Sequence, residues 1–171
     1  MSSRGKIGDF SKLTNETLKV VGPILFITAA GGVLGKVITE AGFVTFMKDH
    51  AEVLAKIGIS FPFLLAAILK TAQGSSTVAI TTTAAIMGSF TASDSMMQVM
   101  GFSSPMAALL VCMAIGAGAM TVSHANDSYF WVVTNFGEMT VEQGYKSHTM
   151  VTLIMGVVDI VFIWLLSLFM L

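Results

Sequence analysis

Long uncharged stretches alternate with short polar ones along the chain, and that alternation predicts its elements. Residues 20–35 carry no charge, and the apolar pattern continues past Lys36 and Glu40, so a first spanning helix is expected over 20–47. Lys36 and Glu40 stand four apart, share a helical face and can pair. Residues 48–56, with Lys48, Asp49, His50, Glu52 and Lys56, read as an interfacial loop or a short surface helix. Residues 57–69 are apolar but too few to cross a bilayer, which takes roughly 20 residues. Lys70 interrupts them, and residues 71–93 are again uncharged. Two readings follow: a single crossing over 71–93, or a re-entrant hairpin over 57–92 that turns at a polar tip, 70–77. At ~1.5 Å per helical residue each arm reaches about 18–20 Å, past the midplane of a ~30 Å core. The hairpin accounts for both the short first arm and the polar tip.

Beyond the polar turn at Ser93 and Asp94 comes a Met-rich stretch, and Ser103-Ser104-Pro105 opens a helix. Proline suits a first turn, where its missing N–H would be unpaired anyway. Gly116 and Gly118 allow close helix contact. The polar run Ser123-His124-Ala125-Asn126-Asp127-Ser128 then interrupts the apolar pattern, which resumes over 129–136. A broken spanning helix over 104–136 is expected, its break buried in protein or facing a water-filled cavity, because lipid satisfies no free backbone group. Residues 137–146 form a polar loop, and 148–171 a last span with Asp159 in its middle.

Composition explains why these stretches read as membrane segments. The 171 residues are 54% hydrophobic and 11% charged, with mean hydropathy +0.82. Soluble domains carry about 25% charged residues, so this chain cannot build a charged shell and lipid is its solvent. A net charge of −1 argues against nucleic acid as a partner. The one cysteine, Cys112, excludes a disulfide framework and reads as a small buried hydrophobe. The N-terminal stretch holds Arg4, Lys6, Asp9, Lys12, Glu16 and Lys19 without an apolar segment and cleavage site, so it resembles an inter-helix loop more than a signal peptide. By the positive-inside rule its four cations place it in the cytoplasm. With a hairpin, 48–56 and 91–103 then lie outside and 137–147 inside.

Charge in a membrane core costs about 2.5–3.5 kcal/mol on insertion scales, which makes Lys70, His124, Asp127 and Asp159 functional candidates. At the expected hairpin tip, Gln73, Gly74, Ser75, Ser76 and Thr77 offer an amide, hydroxyls and backbone N–H groups at a helix N-terminus, a place that binds carboxylates. Small-residue helix packing, with hydroxyls bonded back to carbonyls, is an equal reading of them. In the expected break, Ser123 and Asn126 add polar groups beside His124 and Asp127. A proton carrier at neutral pH needs a group whose charge changes there, and imidazole does so by nature; Asp127 sets a carboxylate beside it. Helix capping by Asn126 or Asp127 accounts for part of the same pattern and is compatible with it. Lys70 can neutralise an anionic substrate, pair with Asp127, or snorkel to the interface. Asp159 reads as structural. Ser, His and Asp together invite a hydrolase reading, but no Gly-x-Ser-x-Gly elbow exists. No metal-ligand spacing and no phosphate loop appear either, so neither enzyme nor cofactor is expected.

Three stretches resemble the gluconate permease (GntP) family: Ala29-Ala30-Gly31-Gly32-Val33-Leu34-Gly35-Lys36-Val37, Leu69-Lys70-Thr71-Ala72-Gln73-Gly74-Ser75-Ser76-Thr77-Val78-Ala79, and Gly116-Ala117-Gly118-Ala119-Met120-Thr121-Val122-Ser123-His124-Ala125-Asn126-Asp127-Ser128-Tyr129-Phe130-Trp131. The last two are the specific ones. The resemblance implies an all-α integral membrane protein of the bacterial inner membrane that takes up gluconate or a related small organic acid with protons. It implies the C-terminal half of an inverted-repeat transporter, with a re-entrant hairpin and a broken transmembrane helix. Gln73, Ser75, Ser76 and Thr77 match the family's hairpin tip; Ser123, His124, Asn126 and Asp127 match its broken helix. The family's first repeat is not found here, so the chain is expected to need a missing N-terminal half or a homo-oligomer. The alternative is a non-transporting remnant or a partner subunit.

Overall fold

The computed structural model describes residues 7–42, 45–46, 49–50, 53, 56–93 and 95–171, and every regular element among them is helical. Helix α1 spans Ile7–Glu40. It begins well before residue 20, so the charged stretch 7–19 is helix rather than inter-helix loop. That stretch contains no proline, and Lys12 and Glu16 have the i,i+4 spacing that suits a helix surface. The Lys36 side chain, Asp94 and most of the polar stretch 48–56 lie outside the described residues.

Helices α2, Ser60–Gln73, and α3, Ser76–Met87, form a tight hairpin. Their 14 and 12 residues make arms of about 21 and 18 Å. Gly74 ends α2 in the left-handed region, φ +84°, and donates its N–H to Lys70 O at 2.8 Å. Ser75 opens α3 by accepting the Val78 N–H on its hydroxyl. A short helix, α4 (Met96–Val99), follows. Helix α5, Pro105–Met120, starts as the sequence pattern predicts, with Ser104 capping and Pro105 in the first turn. After an irregular stretch, α6 runs Ser128–Phe136.

The last helix, α7, covers Val141–Met170 and includes a π-helical turn at Tyr145–Thr149. It starts before residue 148 because Thr140 and Gln143 cap each other's backbone N–H reciprocally. Among the described residues it is the one helix long and apolar enough to cross a membrane. Much of its surface is exposed and apolar, including Ile154, Val158, Phe162 and Phe169.

The core lies where α2 packs on α5. Gly118 meets the backbone carbonyl of Phe63 with no space for a methyl group, and Ala66, Ala114 and Ala119 are fully buried around it. Small residues let these backbones approach, as membrane helix pairs require. Gly116 has nothing within 4 Å of a built Cβ, so only one of the two expected glycines makes the contact. Helix α7 packs on the other side of α5, where Gly156 receives the Thr121 side chain. Helix α3 closes against α2 and α5, and α1 lies along α3. Cys112 is exposed, not buried: Val111, Ala114 and Ile115 take the packed face, and helical periodicity turns residue 112 outward.

Candidate functional site

The hairpin tip is built by its own polar side chains. The Gln73 amide folds back on the turn, its Nε2 donating to Ser75 O at 2.6 Å and its Oε1 accepting the Ser75 N–H at 3.0 Å. Gln73 and the Ser75 hydroxyl therefore shape the turn. Ser76 is half-buried and Thr77 exposed.

The stretch between α5 and α6, residues 121–127, interrupts the helix, and several of its backbone groups find partners within the protein. Thr121 turns its hydroxyl back onto Ala117 O at 2.8 Å. Val122 adopts φ +54°, an outlier for a β-branched residue and a marker of a conformation held by its surroundings. Ser123 is gripped at both ends by α7: its N–H donates to Thr152 Oγ1 at 3.0 Å, and its carbonyl accepts from Thr149 Oγ1 at 2.6 Å. Asp127 N–H closes a turn on His124 O at 2.8 Å, and Trp131 Nε1 donates to Ala125 O at 2.7 Å.

Tip and break meet face to face. Lys70 Nζ lies 2.8 Å from Asp127 Oδ2, with the two side chains 1% and 6% exposed. Ser123 Oγ donates to the same Oδ2 at 2.5 Å, and Asp127 Oδ1 caps α6 by accepting the Tyr129 N–H at 3.0 Å. Lys70 stands in the last turn of α2 and Asp127 at the start of α6, so each charge also complements a helix dipole. At the neighbouring residue, Thr71 O accepts Asn126 Nδ2 at 2.7 Å and bonds His124 Nε2 at 3.2 Å. Gly74 packs directly on the Asn126 carbonyl.

Sequence reasoning offered three fates for Lys70; burial excludes snorkelling, and the pairing with Asp127 is realised. Capping by Asp127 is also realised, on the oxygen that Lys70 leaves free. His124 bonds the hairpin at Thr71 rather than Asp127. Asp159 lies exposed in an apolar groove of about 560 Å³ between α5 and α7, apart from this cluster. Thr71, Thr149 and Thr152 were not anticipated. The last two had a signal: Thr149, Thr152 and Gly156 follow an i, i+3, i+7 spacing that puts them on one helical face.

An apolar, all-helical chain with an ion pair buried between two helix interruptions has the makings of a membrane transport protein, and comparison with known proteins gives the class as permease, not enzyme. The chain belongs to the GntP permease family, whose model matches residues 1–169. It is 31% identical over 154 residues to an inner membrane permease, YgbN, of Escherichia coli, covering 90% of this chain and 32% of that protein. It is 34% identical over 158 residues to a gluconate permease of Pseudomonas aeruginosa (92% and 33%), and 33% identical over 141 residues to one of Zymomonas mobilis (82% and 30%). The chain thus spans about a third of the length of the curated relatives it matches. No solved structure matches it.

Proposed function

We propose that the chain forms part of a secondary active transporter of the bacterial inner membrane, driving uptake of gluconate or a related small organic acid with protons. The observation that carries this reading is the buried Lys70–Asp127 pair at the contact of hairpin tip and helix break. Ionisable groups within membrane segments are costly and mark substrate and proton pathways, and transporter sites form where discontinuous helices meet near the midplane. In this reading α2 and α3 are a re-entrant hairpin, α5 and α6 the halves of a broken spanning helix, and α1 and α7 its flanking spans. Asp127 carries the proton, and Lys70 faces the substrate carboxylate. Gln73, Gly74 and Ser75 hold the tip, Ser76 and Thr77 present their hydroxyls at the N-terminus of α3, and Ser123 and Asn126 line the break. His124 positions the break on the hairpin through Thr71. The relatives' names supply gluconate as the substrate.

Because the chain covers a third of its relatives, the site is completed by further protein. The test is gluconate uptake in a strain lacking its own permeases, with the chain expressed alone and with the N-terminal portion of a gluconate permease. Proton-driven accumulation in the paired strain is expected. No uptake, with both pieces inserted and associated, would instead make the chain a non-transporting remnant or partner subunit.

A further inference from the structure

We infer that the groove between α5 and α7 is the docking surface for a transmembrane helix of the rest of the permease, one that brings a lysine or arginine to Asp159. The inference rests on the placement of α7 in the membrane given above, and not on the substrate or the proton. The groove holds about 560 Å³ and is walled by Met113, Gly116 and Met120 of α5 and by Met155, Asp159 and Phe162 of α7. These residues recur at i, i+3, i+7 and at i, i+4, i+7, so each wall is one face of its helix over about two turns. Asp159 is the one polar side chain lining the groove, and among the described residues it has no hydrogen bond or ion pair.

The carboxylate lies at the depth where it is hardest to solvate. The apolar part of α7, Met150–Met170, sets Asp159 about 14 Å from one end and about 17 Å from the other, in the middle of a ~30 Å core. Water and lipid headgroups are both beyond the reach of so short a side chain. Ionisable residues at this depth face protein and pair there. The chain spans about a third of the length of its curated relatives, which leaves the greater part of such a permease to supply the partner. A second copy of this chain fits poorly, because the groove packed on itself would bring two Asp159 carboxylates together. A lipid chain would cover the apolar walls and leave Asp159 unpaired.

The walls suit a helix. Gly118 and Gly156 are filled from within the chain, by the Phe63 carbonyl and the Thr121 side chain, whereas a Cβ built at Gly116 meets nothing within 4 Å. Glycine in a membrane helix lets a second backbone approach closely, and Gly116 offers that approach on the wall opposite Asp159. Met113, Met120 and Met155 are exposed; their unbranched side chains adapt to the side chains of an incoming helix. A lysine or arginine lays its aliphatic stem along such a wall while its charged head meets the carboxylate. Asp159 thus selects the partner helix and fixes its depth, and Gly116 sets how near it comes.

The test is photo-cross-linking in the paired strain, which holds this chain and the N-terminal portion of a gluconate permease. A benzoylphenylalanine is placed at Met113 or Met155 in the groove, or at Val161 on the far face of α7 as control. The groove positions are expected to capture the N-terminal portion, and the control position is not. Asp159→Leu should lower co-purification of the two pieces by about 10-fold, the loss of one interhelical polar contact in lipid, while the variant chain alone inserts at least as well as the wild type. Asp159→Lys, combined with a change of the captured helix's basic residue to aspartate, should restore association. Groove cross-links to a second copy of this chain, or to no protein, would overturn the docking surface, as would unchanged association of Asp159→Leu. Groove cross-links to the N-terminal portion without gluconate uptake would overturn the transport reading and leave the docking surface standing; uptake without those cross-links would do the reverse. The cross-links are made with Asp159 in place, so they decide the matter even where a variant fails to fold.

Discussion

Gly74, at the tip of the α2–α3 hairpin, rests on the main-chain carbonyl of Asn126 in the helix break, with no space for a side chain between them. Its φ of +84° is a second demand for glycine. Gly74→Ala should therefore lower thermal stability by at least ~1 kcal/mol from the backbone conformation alone. Separation of tip from break should also abolish gluconate uptake in the paired strain. Gly116→Ala, with open space at its Cβ, is the matched control and should stay within about 0.5 kcal/mol of wild type. Equal behaviour of the two variants would remove the tip–break contact as a structural determinant.

The buried pair predicts strong coupling between its members. Lys70→Met and Asp127→Asn should each cost about 3–5 kcal/mol, since each strands one partner or its hydrogen bonds in the interior. The double variant should recover most of that loss. Unfolding of the four proteins in one detergent gives the cycle directly; additive losses would mean the 2.8 Å contact is not a productive pair.

Ser123 owes its position to two threonines of α7. Thr152→Val removes the acceptor of the Ser123 N–H and leaves a buried donor unsatisfied, at about 1–3 kcal/mol. Thr149→Val removes the donor to Ser123 O and should cost less, because a carbonyl left under-satisfied is better tolerated. Gluconate affinity should fall in the same order. Unaltered affinity in both variants would separate the α7 clamp from the site.

Membrane placement of the hairpin is testable by labelling. In a Cys112→Ser background, cysteines at Ser60 and Ser93 should both react with an impermeant reagent from the periplasmic side, and substrate should shield a cysteine at Ser75. The 14- and 12-residue arms reach only about 21 and 18 Å, short of a ~30 Å core. Labelling of Ser60 and Ser93 from opposite sides would make the segment a crossing.

Much of this architecture is legible in local sequence. The polar tip, the Ser104-Pro105 start and the six-residue polar run each signal an interruption through capping and turn chemistry, which acts within a few residues. Where local reading went astray, a competing local interaction decided: the Thr140–Gln143 capping box extends α7 toward its N-terminus, and an unbroken helical stretch carries α1 back to Ile7. Cys112 shows the limit of composition, because an apolar run does not say which face packs.

Sequence by itself determined an apolar helical chain, two interrupted segments, and the residue types available at each interruption, since hydropathy and capping are short-range. Only the tertiary structure decided which of those residues meet. Lys70 chooses Asp127, 57 positions away; His124 turns to Thr71; and Thr149 and Thr152 reach back to Ser123. These choices follow from the close packing of α2, α5 and α7 through Gly118 and Gly156. In a medium that offers no water to a buried charge or a free backbone group, such contacts are where polar groups find their partners.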